Sequence, residues 1–156
     1  MSTENNSNAY EGTFDRRQSL SILAIADDDQ LKTLMAAGGF LDTGFEWIRP
    51  PEIGSIMVQG RAGGTGDPFN LGEVSVTRCT LKVGELVGHG YVQGRAKGKA
   101  QRAALCDALL QSDQKAKLDE QVIQPLLAAQ AKKRLDREKK AAATKVEFFT
   151  LVRGED

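Results

Sequence analysis

Hydrophobic positions along this chain change their spacing twice, dividing it into a helical opening, a stranded middle and a helical close. From Phe14 to Ala24, FDRRQSLSILA places Phe14, Leu20 and Leu23 near the helical repeat, and Asp27 offers an N-cap for a second run, DDDQLKTLMAA. Gly38-Gly39 closes that second helix, because glycine tolerates the left-handed geometry of a helix end. From Phe45 the pattern shortens. Pro50-Pro51 bars a helix, and Ile56 and Val58 then alternate with Gln59 and Arg61, which predicts a strand. In the next strand, Gly72 to Val83, Val74 and Val76 hold one parity while Cys79, Leu81 and Val83 hold the other. A bulge, or a strand buried on both sides, is expected near Thr77-Arg78.

Gly84-Glu85 separates LKV from LVG as a two-residue connection with glycine first, the pattern of a type II′ hairpin. The returning strand, Leu86 to Arg95, puts Gly88, Gly90, Val92 and Gly94 on one face and Val87, His89, Tyr91, Gln93 and Arg95 on the other. A face of glycines lets a helix approach closely. Residues 97–111 predict a helix whose Ala100, Ala104 and Ala108 form a small-residue stripe able to lie on that face. A further helical stretch runs from Asp113 to Ala143, interrupted at Pro125, with AKKRLDREKKAAA as a charged, solvated part. KVEFFTLV, Lys145 to Val152, reads as a last strand. The fold class expected is α+β, an antiparallel sheet of about four strands with helices packed on it.

With 156 residues and 27 % charged side chains the chain suits one compact domain. The polar residues 1–13 read as a disordered arm rather than a signal or anchor, and no apolar run approaches the 18 residues or more of a membrane span. Cys79 and Cys106 have no companions at metal-ligand spacing, which fits a reducing cytoplasm and no metal. Net charge is zero, which gives no reason to expect nucleic-acid binding, yet residues 1–90 hold 7 basic and 12 acidic side chains and residues 91–156 hold 14 and 9. The positive bias of the second part could attract phosphates or an acidic partner.

Candidate chemistry is sparse. GRAGGTG, Gly60 to Gly66, has a backbone able to converge N–H groups on an anion, but lacks the order G-x-x-x-x-G-K-[ST] and leads into strand rather than helix. Its other reading is an ordered loop, Ala62 to Leu71, turned by Asp67-Pro68. His89 is the one histidine, and no triad order surrounds it. Arg78 shares parity with Val74 and Val76, which predicts partial burial and a partner such as Glu73, Asp107 or a ligand phosphate. Arg95, Lys97, Lys99 and Arg102 crowd the start of a helix, the end that favours negative charge, so an acid or anion should answer them.

Three blocks, GRAGGTGDPFNLGEVSVTRC, GYVQGRAKGKAQRAALCDALLQ and KVEFFTLVRG, together resemble the PhnG family, a core subunit of the bacterial carbon-phosphorus lyase machinery. The resemblance spans about Arg16 to Gly154 and makes 14–156 one PhnG-like domain; Ser19-Leu20 stands where the family commonly has an aromatic. It implies a part in making α-D-ribose 1-methylphosphonate 5-triphosphate from ATP and methylphosphonate with release of adenine. PhnI and PhnH would be partners in that step and PhnJ would act later, by radical cleavage. ATP would then be a substrate of the complex, with no cofactor held by this chain. Arg61, Gly63, Gly64, Thr65, Gly66, Thr77, Arg78, Arg95 and Asp107 match the family's motif positions as substrate contacts, interface or scaffold. Two other readings stay open: a nucleotide- or phosphonate-binding enzyme using Gly63–Gly66, and a homodimerising module.

Overall fold

The computed structural model describes residues 14–150, with side chains through Thr144. The arm read at 1–13 lies outside the described residues. Helix α1 (Arg16–Ile25) begins at a reciprocal cap: Gln18 N donates to Asp15 Oδ1 at 2.7 Å and Asp15 N donates to Gln18 Oε1 at 3.0 Å. Asp27 caps α2 (Asp28–Ala37) as its sequence position suggests, accepting from Gln30 N at 3.1 Å. Gly39, at φ 73°, turns the chain out of α2. It leads into a short 3₁₀ turn that buries Phe40.

Three antiparallel strands follow, β1 (Glu46–Arg61), β2 (Pro68–Val83) and β3 (Leu86–Gln93), in that spatial order. Both long strands begin earlier than their alternation suggests. Pro50 and Pro51 belong to β1, which tolerates them because it is an edge strand and its register slips between Arg49 and Glu52. The irregularity expected at Thr77-Arg78 therefore lies on the facing strand, while β2 pairs with β3 without a break from Val76 to Val83. The alternative expectation holds locally, since neighbours Val76 and Thr77 point to opposite faces and are both buried. Gly84 takes φ 59° and Glu85 does not take a positive φ, as a type II′ turn requires.

Helix α3 (Lys97–Leu109) is the centre of the molecule, and every residue from Ala103 to Leu109 is buried. One side of α3 lies on β2 and β3; the other meets α1 and α2. The contact with β3 is the glycine-on-alanine arrangement read from the sequence. A methyl group placed on Gly88 would fall on the Ala104 carbonyl oxygen, and one on Gly90 would fall on that of Ala100. Around α3 collect Leu23, Leu31, Met35, Leu81 and Val92, each 2 % exposed or less. Full burial of such a side chain contributes about 1.5–3 kcal/mol.

The chain then passes through one turn, α4 (Lys115–Leu118), and a π-helical stretch, Asp119–Ile123, into α5 (Gln124–Thr150). Gln124 N bonds the Asp119 carbonyl, a wider loop than the α-helical one. That widening lets Pro125, which has no N–H, enter a continuous helical path. The strand expected at Lys145–Val152 is not formed: the chain is helical through Thr150, and residues 151–152 lie outside the described residues. Residues 126–143, rich in Leu, Ala, Lys and Arg, are strong helix formers that carry the helix onward. Of the two sheet edges at which a fourth strand could pair, that of β1 is left unpaired among the described residues and that of β3 is partly taken. Arg16 and Gln111 donate to the Val87 carbonyl, and His89 N donates to Asp107. The sheet thus has three strands, and the fold is α+β.

Candidate docking surface

Beyond the reach of the helices, β1 and β2 continue as a two-stranded arm closed by a short turn at Ala62–Gly64. From Glu46 to Met57 every residue except Pro51 is exposed, and so is every residue from Asp67 to Glu73. Pairing sets the two faces: Ile56 opposes Val74 and Phe69 opposes Gly60 on one, while Ile53 opposes Thr77 and Met57 opposes Glu73 on the other. Leu71, on the first face, leans over Gly60. Among the described residues, Trp47, Ile48, Ile53, Ile56, Met57, Phe69 and Leu71 supply most of the large exposed apolar side chains. Apolar residues bare on both faces of one hairpin mark an interaction surface. The arm's signal in the sequence was that Ile56, Met57 and Val58 occupy both parities; the missing information was that β3 and the helices stop short of them.

The nine motif residues fall in four places. Arg61, Gly63, Gly64, Thr65 and Gly66 form the tip of the arm. There Gly63 (φ 60°) and Gly64 (φ 80°) make the turn, Gly66 N donates to the Ala62 carbonyl at 2.8 Å, and Arg61 Nη1 donates to the Gly66 carbonyl at 3.2 Å. The expected loop of Ala62–Leu71 is thus shorter, since β2 starts at Pro68. Thr77 is fully buried and ties the sheet to α3: its hydroxyl donates to the Gly94 carbonyl at 2.6 Å and accepts from Ala96 N at 3.0 Å. Arg95 is exposed beside that junction.

Arg78 is exposed, contrary to its expected partial burial, because the helices cover the face of Thr77, Cys79 and Leu81 and leave its own face open. Its ion-pair partner is Glu52 across the strands, at 3.7 Å, rather than Glu73 or Asp107. Asp107 is instead sealed in the core, where it accepts from Arg16 Nε at 2.9 Å, Arg16 Nη2 at 2.8 Å and His89 N at 2.8 Å. Its hydrogen bond and charge raise the Arg16 guanidinium above its ordinary value. Sequence reasoning missed Arg16, which lies 91 positions from its partner. Of the cations at the start of α3, Arg102 is answered by an acid, Asp28, while Lys99 Nζ donates instead to a neutral group, the Ala24 carbonyl, at 3.0 Å. Burial lowers the Lys99 ammonium, with Asp28 and Asp27 opposing the shift.

An open groove of about 650 Å³ runs between α1 and β3, floored by Leu20, Leu23, Ala24 and Ala103 and flanked by Tyr91. Among the described residues no cluster of three His, Cys, Asp or Glu side chains could hold a metal, and no helix is long and apolar enough to cross a membrane. Both thiols are buried and unbridged. Burial pushes Cys79 up to about 11 and Cys106 higher still, with the Asp107 charge adding to the latter. An unfolded thiol titrates near 8.5. With the folded value raised, the stability gained by keeping Cys79 neutral is full below about pH 8.5 and is lost as pH rises through about 11. Urea midpoints should therefore fall between pH 8.5 and 10.5, and a Cys79→Ser variant should show a shallower fall. Rapid labelling of either native thiol at pH 8 would contradict the burial.

Comparison with known proteins adds two findings. The family described as "Phosphonate metabolism protein PhnG" matches residues 14–154. A curated relative from Rhizobium meliloti (strain 1021), "Alpha-D-ribose 1-methylphosphonate 5-triphosphate synthase subunit PhnG", is 43 % identical over 153 residues, covering 93 % of each chain.

Proposed function

The chain belongs to the PhnG family of phosphonate metabolism proteins, and from that premise we propose that it is a noncatalytic subunit of an α-D-ribose 1-methylphosphonate 5-triphosphate synthase. Its work is to assemble with PhnI- and PhnH-type subunits, and with the PhnJ-type enzyme that follows them, in the cytoplasm. The complex would exchange the adenine of ATP for methylphosphonate. In this reading the chemistry belongs to the partners, and this chain supplies the surface that holds them.

The observation that carries the proposal is the β1–β2 arm, whose apolar side chains are bare on both faces. Side chains of this kind act as anchors when they enter pockets on a partner. Arg61 and the Gly63–Gly66 turn, at the arm's tip, would lie inside such an interface and could complete a partner's phosphate site. The test is capture of this chain by a tagged PhnI-type partner. Ile56→Asp with Phe69→Asp should weaken capture by about 30- to 1,000-fold, at roughly 1–2 kcal/mol for each anchor. Far-UV circular dichroism and the thermal midpoint should stay at wild-type values, since neither residue belongs to the core. Undiminished capture by the double variant, or adenine release by the purified chain alone, would defeat the proposal.

A further inference from the structure

The arm is not the only projection. Helix α5 is held to the body through Leu126 and by a hydrogen bond from Gln130 Nε2 to the Ile22 carbonyl at 2.8 Å, and from there it leaves. Every residue from Ala131 to Thr144 is exposed. At 1.5 Å per residue the part from 131 to 150 extends about 30 Å. Residues 131–144 hold six cations against two acids, Asp136 and Glu138. Glu138 is engaged by Arg134 at 3.1 Å. Lys133, Arg137 and Lys140, at i, i+4 and i+7, form one stripe along the helix. Arg137 has only cations or alanine three and four positions away on either side.

Such a helix stands on its own propensity rather than on packing. From residue 131 to 144 it buries no apolar face against the body, and although Asp136 lies three positions from Lys133 and four from Lys140, the stripe keeps an excess of positive charge, with Arg137 four positions from Lys133 and three from Lys140. A carboxylate-bearing surface laid along Lys133, Arg137 and Lys140 would offset that excess of positive charge. We infer that this stripe is a second docking element, which seats α5 against an acidic face of the partner protein in the assembled complex. The inference rests on the subunit reading above and adds to it the chemistry of the partner's face. The occupant is a protein rather than a nucleic acid because the whole chain has net charge zero and the stripe is one helix wide, too little positive surface to hold a duplex backbone.

The two docking elements differ in their response to salt, which allows separate tests. Going from about 0.1 to about 1 M salt shortens the screening length from about 10 to about 3 Å, weakening charge pairing while leaving apolar contacts intact. The full-length chain is captured by the PhnI-type partner at both ionic strengths, as wild type, as Lys133→Glu/Arg137→Glu/Lys140→Glu and as the matching triple Gln variant. Wild-type capture should weaken about 10-fold or more at high salt. The Glu variant should be about 100-fold weaker than wild type at low salt and recover part of that loss at high salt, as its repulsion from the acidic face is screened, while the neutral Gln variant should lie between the two at low salt and be nearly indifferent to salt. Equal capture of all three at low salt, with wild-type salt dependence preserved, overturns the stripe but leaves the arm and the subunit reading standing. Failure of wild type to be captured at any salt overturns both. Retention of duplex DNA by the wild-type chain at low salt, with assembly unaffected by the Glu variant, assigns the stripe to nucleic acid and also overturns the inference.

Discussion

A Gly90→Val chain should not accumulate as a folded protein. Strand propensity alone argues the other way, since valine in place of glycine within a strand is worth up to about 1 kcal/mol. The geometry decides against it. A Cβ at position 90 would fall on the Ala100 carbonyl oxygen and lie 3.0 Å from Cys79 Sγ. The obstacle is the backbone of α3, which cannot rotate aside as a side chain can. Either α3 lifts from the sheet, uncovering Ala100, Ala104 and Ala108, or β3 leaves its register with β2. Overpacking of this kind costs about 1–3 kcal/mol and occasionally more, and with the helix backbone in the way we expect about 4 kcal/mol. That is most of the stability of a domain near the low end of the usual 5–15 kcal/mol. Gly54→Val is the control, because a Cβ there meets nothing within 4 Å. It should leave the urea midpoint unchanged or raise it. Equal effects at the two positions would show that close approach of α3 is not what requires glycine.

The second large effect is expected at Asp107. Removing its carboxylate by Asp107→Ala strands the His89 N–H inside the protein and releases the Arg16 fork. Loss of one member of a buried pair costs about 3–5 kcal/mol. Here the figure is reduced because the Arg16 side chain is 48 % exposed and can turn to water. The expected loss is about 2–3 kcal/mol, or roughly 4–12 °C in thermal midpoint for a chain of this size. Arg16→Met alone should cost more than Asp107→Ala alone, since it leaves the buried carboxylate with the His89 N–H as its only remaining partner. The double variant should be no worse than Arg16→Met. Additive losses in that cycle would mean that the two side chains act independently and that α1 is not pinned to the core through them.

The sequence revealed most where one local pattern decided the outcome. Asp27 as a cap, Gly84 at the first position of a hairpin and the match of Gly88 and Gly90 with Ala100 and Ala104 are all settled within a few residues by backbone geometry and period. Parity also divided β2 correctly into two faces, but it cannot say which face a helix will cover. Arg78 was therefore assigned to the wrong environment. The Arg16–Asp107 pair joins the first helix to the third, and nothing local at either residue announces the other. Lys145–Val152 has strand-forming residues, but the helix formers before it carry α5 through Thr150, and residue type within the segment does not show that the upstream helix continues. The arm was misjudged for a related reason: alternation of apolar residues identifies strands, but it does not tell a strand inside a sheet from one that leaves it.

The arm has a consequence for the economy of the cell. Isoleucine, methionine and phenylalanine open to water on a hairpin are an aggregation liability, which in the subunit reading a partner would cover. Whatever shields it also sets the ceiling on how much of this polypeptide can persist in solution, so synthesis in excess of that shield would end in precipitate or in degradation.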